Sequence, residues 1–168
     1  MSSKIFLFMD NVAGSCTDSN HLGWIQIYNV DFEIDRHVEF KPHTASLAPI
    51  NKYPTISKIV ITKPHCTASP QLFANCYTLQ RSRIMIDIVN EKHGNNGLVN
   101  TILDSGSTRF EFNVGYVSKI KLNGLTNSLE RLELTVSSMS VTYNPPSDSH
   151  ELDKKSSSGY HFQNYKPL

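Results

Sequence analysis

The stretch SLERLELTVSSMSVTYNP, residues 128–145, decides the fold. Leu132, Leu134 and Val136 recur at every second position, and the apolar series then moves to Met139, Val141 and Tyr143. A period of two is the mark of a strand with one buried face. The change of phase predicts a bulge, or a strand buried on both faces.

The same period runs outward in both directions. Ile84, Ile86 and Ile88 share one face, as do Phe110, Phe112 and Val114. Strands are predicted at 4–10, 23–35, 57–63, 81–90, 109–122 and 129–144, with a closing strand at 159–165. Residues 69–78 alone read as helix. Ser69 suits an N-cap, Pro70 suits the first helical position, and Leu72, Phe73, Cys76 and Tyr77 fall on one face. Burying Leu72 and Phe73 is worth roughly 1.5–3 kcal/mol each, so this short helix has to lie against the sheets. The fold class is mainly β, a two-sheet β-barrel or sandwich with one short flanking helix. It forms a single domain over 1–168, with a polar linker at 145–158.

Two other connections are long. Residues 36–56 hold Pro42, Pro49 and Pro54, and residues 91–108 are rich in Gly, Asn and Ser. Loops of this length in a compact domain are usually functional or mobile.

Composition narrows the function classes. With 168 residues the chain suffices for one well-buried domain and is short for two. Apolar residues at 39% and charged residues at 18% are ordinary for a soluble domain. Sixteen basic and fifteen acidic side chains leave +1. Without a basic surplus or interleaved aromatics, nucleic acid is not an expected partner. The N-terminal apolar run, Ile5 to Met9, is too short for a signal-peptide core or a membrane span. Cys16, Cys66 and Cys76 are odd in number and lack a CxxC spacing, which fits reduced thiols in the cytoplasm.

TILDSGST, residues 101–108, contains the Asp-Ser-Gly triplet of aspartic proteases. Such an enzyme needs two carboxylates sharing a proton, so Asp104 would require a dimer partner. In dimeric enzymes of that class the triplet lies early and an apolar-apolar-Gly segment follows; here neither holds. The expectation is a tight turn entering the strand at Arg109, with Gly106 taking positive φ. His21, His37, His43, His65, His93, His150 and His161 stand singly, without metal-ligand spacing. No Gly-rich phosphate loop or G-x-S-x-G is present. The residues alone point to a binding or structural β-domain with no cofactor, no metal and no catalytic residue. A free-standing barrel that binds a small ligand fits that description too.

The order of these elements resembles the hemolysin-coregulated protein family, the tube protein of bacterial type VI secretion systems. KIFLFMDNVAGSCTDSNHLGWIQIYNVDFEI resembles the family's first strand, a glycine at Gly14, a polar loop with a histidine like His21, and the long second strand. ITKPHCTASPQLFANC resembles its lysine and its Ser/Thr-Pro helix start. VSKIKLNG and SLERLELTVSSMSVTYNP resemble the last strand pair. GYHFQNY departs from the usual Gly-Trp-Asp-like closing strand, and the middle loop carries prolines where relatives have glycines.

The resemblance implies homohexameric rings that stack inside a contractile sheath, tipped by a spike protein. Small secreted effectors ride in the lumen. It implies assembly in the cytoplasm and export without a cleaved signal peptide. Within the second strand, Asn29, Asp31 and Glu33 alternate with Val30, Phe32 and Ile34. The even set, from Trp24 through Ile34, is expected to point into the barrel, and the polar triplet to face the lumen. There Asp31 and Glu33 would favour basic cargo. The proline-bearing loop, with His43, Leu47, Ile50 and Asn51, is the expected ring-stacking contact.

Overall fold

A computed structural model describes residues 2–38, 53–95, 100–124, 128–145, 155–164 and 166–168. His43, Leu47, Ile50 and Asn51 lie outside the described residues. The elements in chain order are β1 (Ser2–Met9), β2 (Ile25–Ile27), β3 (Asn29–Asp31), β4 (Ile34–Asp35), β5 (Thr55–Ile56), β6 (Ile59–Pro64), α1 (Ser69–Thr78), β7 (Ser82–Asn95), β8 (Asn100–Asn123), β9 (Leu129–Val136), β10 (Ser138–Asn144), β11 (Ser156–His161) and β12 (Lys166–Pro167). The chain is mainly β with one helix among the described residues, as its periodicity predicts.

Among the described residues, ten strands form one curled sheet, and β4 and β5 form a separate two-stranded ribbon. Following the ladders, β2 pairs β1, β1 pairs β7, β7 pairs β8, β8 pairs β9, β9 pairs β6, and β6 pairs β3. Only Tyr28 separates β2 from β3, so this path returns to its start and closes a barrel. The 24-residue β8 is the spine. Its first part also pairs β10, which carries β11 and β12 outward.

The interior is built from alternate residues: Leu7 and Met9, Ile25 and Ile27, Ile59 and Ile61, Ile84 and Ile86, Phe112, and Leu132 and Leu134, each at most 3% exposed. Each such side chain contributes about 1.5–3 kcal/mol by leaving water. Between β9 and β10 the predicted phase break falls at Ser137, which takes no ladder position. Its N–H donates to the Val114 carbonyl, and its carbonyl accepts from Phe162.

Three expectations are corrected. On the second strand, Ile25 and Ile27 enter the core, whereas Gln26, Tyr28 and Ile34 are exposed. The inward face moves to Val30 and Phe32 only after Tyr28, where the strand leaves β1 for β6 and Tyr28 donates to the Thr62 carbonyl. A single alternation across 23–35 missed that change of partner.

Ser69 is the first helical residue, with Ala68 at the N-cap position and no side-chain cap. The buried stripe of α1 is Ser69, Leu72 and Asn75, and Tyr77 is 80% exposed.

Residues 91–95 and 100–108 are strand, not loop. β7 and β8 continue as a ladder past the core, pairing Glu91 with Asp104 and Asn95 with Asn100. Asp104 therefore sits in a strand, not in a turn. Between Val89 and Glu91 the partner strand advances by one extra residue, a bulge at which Gly106 takes φ +100. No proline interrupts 82–123, so the ladder extends despite the polar composition.

Candidate assembly and lumen surfaces

Lys63 and Glu130 face each other across β6 and β9 in the same phase as the core residues, and both side chains are fully buried. Lys63 Nζ donates to Glu130 Oε2 at 2.6 Å, to the Pro64 carbonyl at 2.8 Å and to Ser69 Oγ at 3.1 Å. Ser69 Oγ accepts from the Cys66 N–H at 2.9 Å and donates to Glu130 Oε2 at 3.0 Å. His65 Nδ1 meets the other carboxylate oxygen. Burial alone would raise the Glu130 pKa. The hydrogen bonds from Lys63, Ser69 and His65, with the Lys63 charge, outweigh it and hold the carboxyl below its ordinary range. The cluster fastens the start of α1 to the barrel.

A second anchor holds the segment between β1 and β2. His21, 6% exposed, stacks on Phe6 at 4.1 Å and sets its edge to Trp24 at 4.9 Å. Its Nε2 lies 2.9 Å from Asp87 Oδ2 and its Nδ1 3.1 Å from Asp18 Oδ1. Arg109 grips Asp87 with two donations at 2.7 Å and lies over the Trp24 ring. Hydrogen bonding to Asp87 raises the Arg109 pKa, and hydrogen bonding from His21 lowers that of Asp18. Gly14 lets the chain cross here: a Cβ would stand 2.1 Å from the Trp24 carbonyl oxygen.

The outward face of the four strands β3, β6, β9 and β8 is polar. Asn29, Asp31 and Glu33 are all exposed on it or at its end. Register aligns Asp31, Val60, Glu133 and Lys119 in one row, and Asn29, Thr62, Arg131 and Lys121 in the next. Lys58 and Lys119 lie 3.4 and 3.6 Å from Glu133. Burial would raise the Glu133 pKa, and these two lysines outweigh it and lower it. The face is thus mixed in charge. Sequence reading found its acidic edge and missed Lys58, Lys119, Lys121, Arg131 and Glu133. The signal was present, because these side chains alternate with core residues such as Ile120, Leu132 and Leu134.

Among solved structures, one described as a type six secretion system protein superposes with a TM-score of 0.81 at 17% identity, covering 99% of this chain and all of that one. Hcp1 from Salmonella typhimurium matches with a TM-score of 0.70 at 17% identity over 100% of both chains. Hcp3 from Pseudomonas aeruginosa matches at 0.58 and 14% identity, over 96% of this chain and 99% of that one. A search of curated protein sequences gave no match. The family model described as "Type VI secretion system effector, Hcp" matches residues 6–144. Its span covers most of the sequence, and the chain belongs to the Hcp family of type VI secretion system proteins.

Proposed function

We propose that this chain, a structural tube subunit of a type VI secretion system through its family, works as a homohexameric ring. Stacked rings would form a tube, expelled by a sheath and tipped by a spike, with small effectors carried inside. The subunit would assemble in the cytoplasm and leave with the tube. The observation that carries the reading is the family match over residues 6–144 on a closed barrel with one polar, four-stranded outer face.

That face is our choice for the lumen lining, with Asn29, Asp31 and Glu33 along one edge. A lumen suits a polar strand face, since cargo has to move past it without hydrophobic capture. Because Lys58, Lys119, Lys121 and Arg131 share the face with Asp31, Glu33 and Glu133, the lining would be a mosaic and not a band of carboxylates. The loop with His43, Leu47, Ile50 and Asn51 is proposed to contact the next ring. Electron microscopy of the purified protein tests the assembly: annular particles with six-fold symmetry in end view support it, and particles without a central opening overturn it.

A further inference from the structure

Lys63 Nζ, fully buried in the barrel, has a fourth neighbour beside the three oxygens that hold it: Cys66 Sγ at 3.4 Å. An ammonium carries three N–H groups, so four acceptors compete for three protons. Cys66 is half-buried, packed against the core yet open in part to solvent.

The turn from β6 into α1 fixes the sulfur beside the amine. The Cys66 carbonyl accepts from the Ser69 N–H at 2.9 Å, and the Cys66 N–H donates to Ser69 Oγ at 2.9 Å. One residue earlier, the His65 N–H donates to the Ser128 carbonyl at 2.9 Å. The cluster thus joins a nucleophilic sulfur, an amine and a proton acceptor. A thiol that meets a peroxide becomes a sulfenic acid, and a sulfenic acid condenses with nitrogen to a sulfenamide. Lys63 supplies the nitrogen. Glu130 Oε2, 2.6 Å from it, can take the proton that has to leave before that nitrogen attacks.

We infer that Cys66 and Lys63 form a redox-controlled covalent cross-link, a sulfenamide made when a peroxide reaches the chain. The Cys66 sulfur attacks one oxygen of hydrogen peroxide. The O–O bond breaks, sulfur gives up two electrons and becomes S–OH, and the other oxygen leaves as water. Glu130 then takes one proton from the Lys63 ammonium. The freed nitrogen pair attacks sulfur, so an S–N bond forms and the S–O bond breaks. The departing hydroxide takes a second proton from the nitrogen and leaves as water. The product has lost two hydrogens relative to the reduced chain. Two thiols of a reductant restore both side chains and leave as their own disulfide.

Charge is conserved inside the barrel as well. Lys63 becomes neutral as Glu130 becomes protonated, so the buried ion pair turns into a buried neutral pair and no charge is stranded. The cross-link closes a ring over residues 63–66, at the place where the cluster fastens α1 to the barrel. It is a property of the protomer and does not depend on ring assembly.

Hydrogen peroxide added to the full chain tests it, in a Cys16→Ser/Cys76→Ser background where Cys66 is the one remaining thiol. No intramolecular disulfide can form there. The tryptic peptide 59–81 holds both residues and no methionine, because Pro64 blocks cleavage after Lys63. After oxidation this peptide should be lighter by two hydrogens, unreactive to dimedone and restored by dithiothreitol. Its fragmentation should show no backbone break between residues 63 and 66. Lys63→Met/Glu130→Leu in the same background, with the thermal midpoint as a folding check, should instead accumulate sulfenic acid that dimedone captures. A Cys66 that stays a thiol, or stops at dimedone-reactive sulfenic acid while Lys63 is present, would overturn the cross-link. So would a lighter peptide in the variant, or one that fragments freely between residues 63 and 66. The fragmentation is read on a chain that keeps Lys63, so it decides the matter even if the variant folds poorly.

Discussion

Lys63 Nζ lies 2.6 Å from Glu130 Oε2 with both side chains fully buried inside the barrel, facing each other across β6 and β9. A buried pair is a weak source of net stability, because desolvation offsets the attraction, but stranding one partner is costly. Lys63→Met should therefore destabilise the fold by about 3–5 kcal/mol in urea unfolding. Adding Glu130→Leu should recover most of that loss. A single variant as stable as wild type would mean the pair is not buried together.

Acid should weaken the fold through three carboxyls. The folded pKa of Glu130, of Asp18 and of the exposed Glu133 lies below the ordinary value. A depressed carboxyl contributes stability that is fully present above its unfolded pKa and is lost as pH falls through the folded pKa. Urea midpoints measured between pH 7 and pH 3 should fall on the acid side. Asp18→Asn should lose part of that slope, because its amide does not titrate. An acid limb as steep as that of wild type would remove Asp18 from the account.

Gly14→Ala drives a methyl group into the Trp24 carbonyl, where the backbone itself has to move. The expected loss is about 1–3 kcal/mol, the cost of overpacking. Gly124→Ala, with nothing within 4 Å of its Cβ, should stay within about 0.5 kcal/mol of wild type. Equal midpoints for the two variants would contradict the close crossing at Gly14.

Leu79 ends α1 in the left-handed region at φ 49 and is 60% exposed. Glycine adopts that conformation without the Cβ penalty. Leu79→Gly should raise stability by about 0.5–1 kcal/mol. A drop in the urea midpoint would show that the leucine packs usefully.

The barrel was legible because its core residues repeat at period two with few exceptions, and the break at Ser137 was visible as a change of phase. What was illegible depends on partners far along the chain. Tyr28 marks where one strand trades β1 for β6, and nothing local to 23–35 signals the exchange. The 91–108 segment has a loop's composition, yet its described residues, 91–95 and 100–108, continue the ladder begun by the apolar parts of β7 and β8. At the candidate lumen face, Asp31 and Glu33 stood out, but Lys119, Lys121 and Arg131 lie far along the chain on β8 and β9, and only register unites them with the two carboxylates. Ser69 looked like a helix cap and instead serves a buried ion pair whose acid comes from β9.

Native mass spectrometry of the purified full chain tests the central claim most directly. The account predicts a dominant species at six times the protomer mass of 18.9 kDa. A population that stays monomeric or dimeric at micromolar concentration would contradict it.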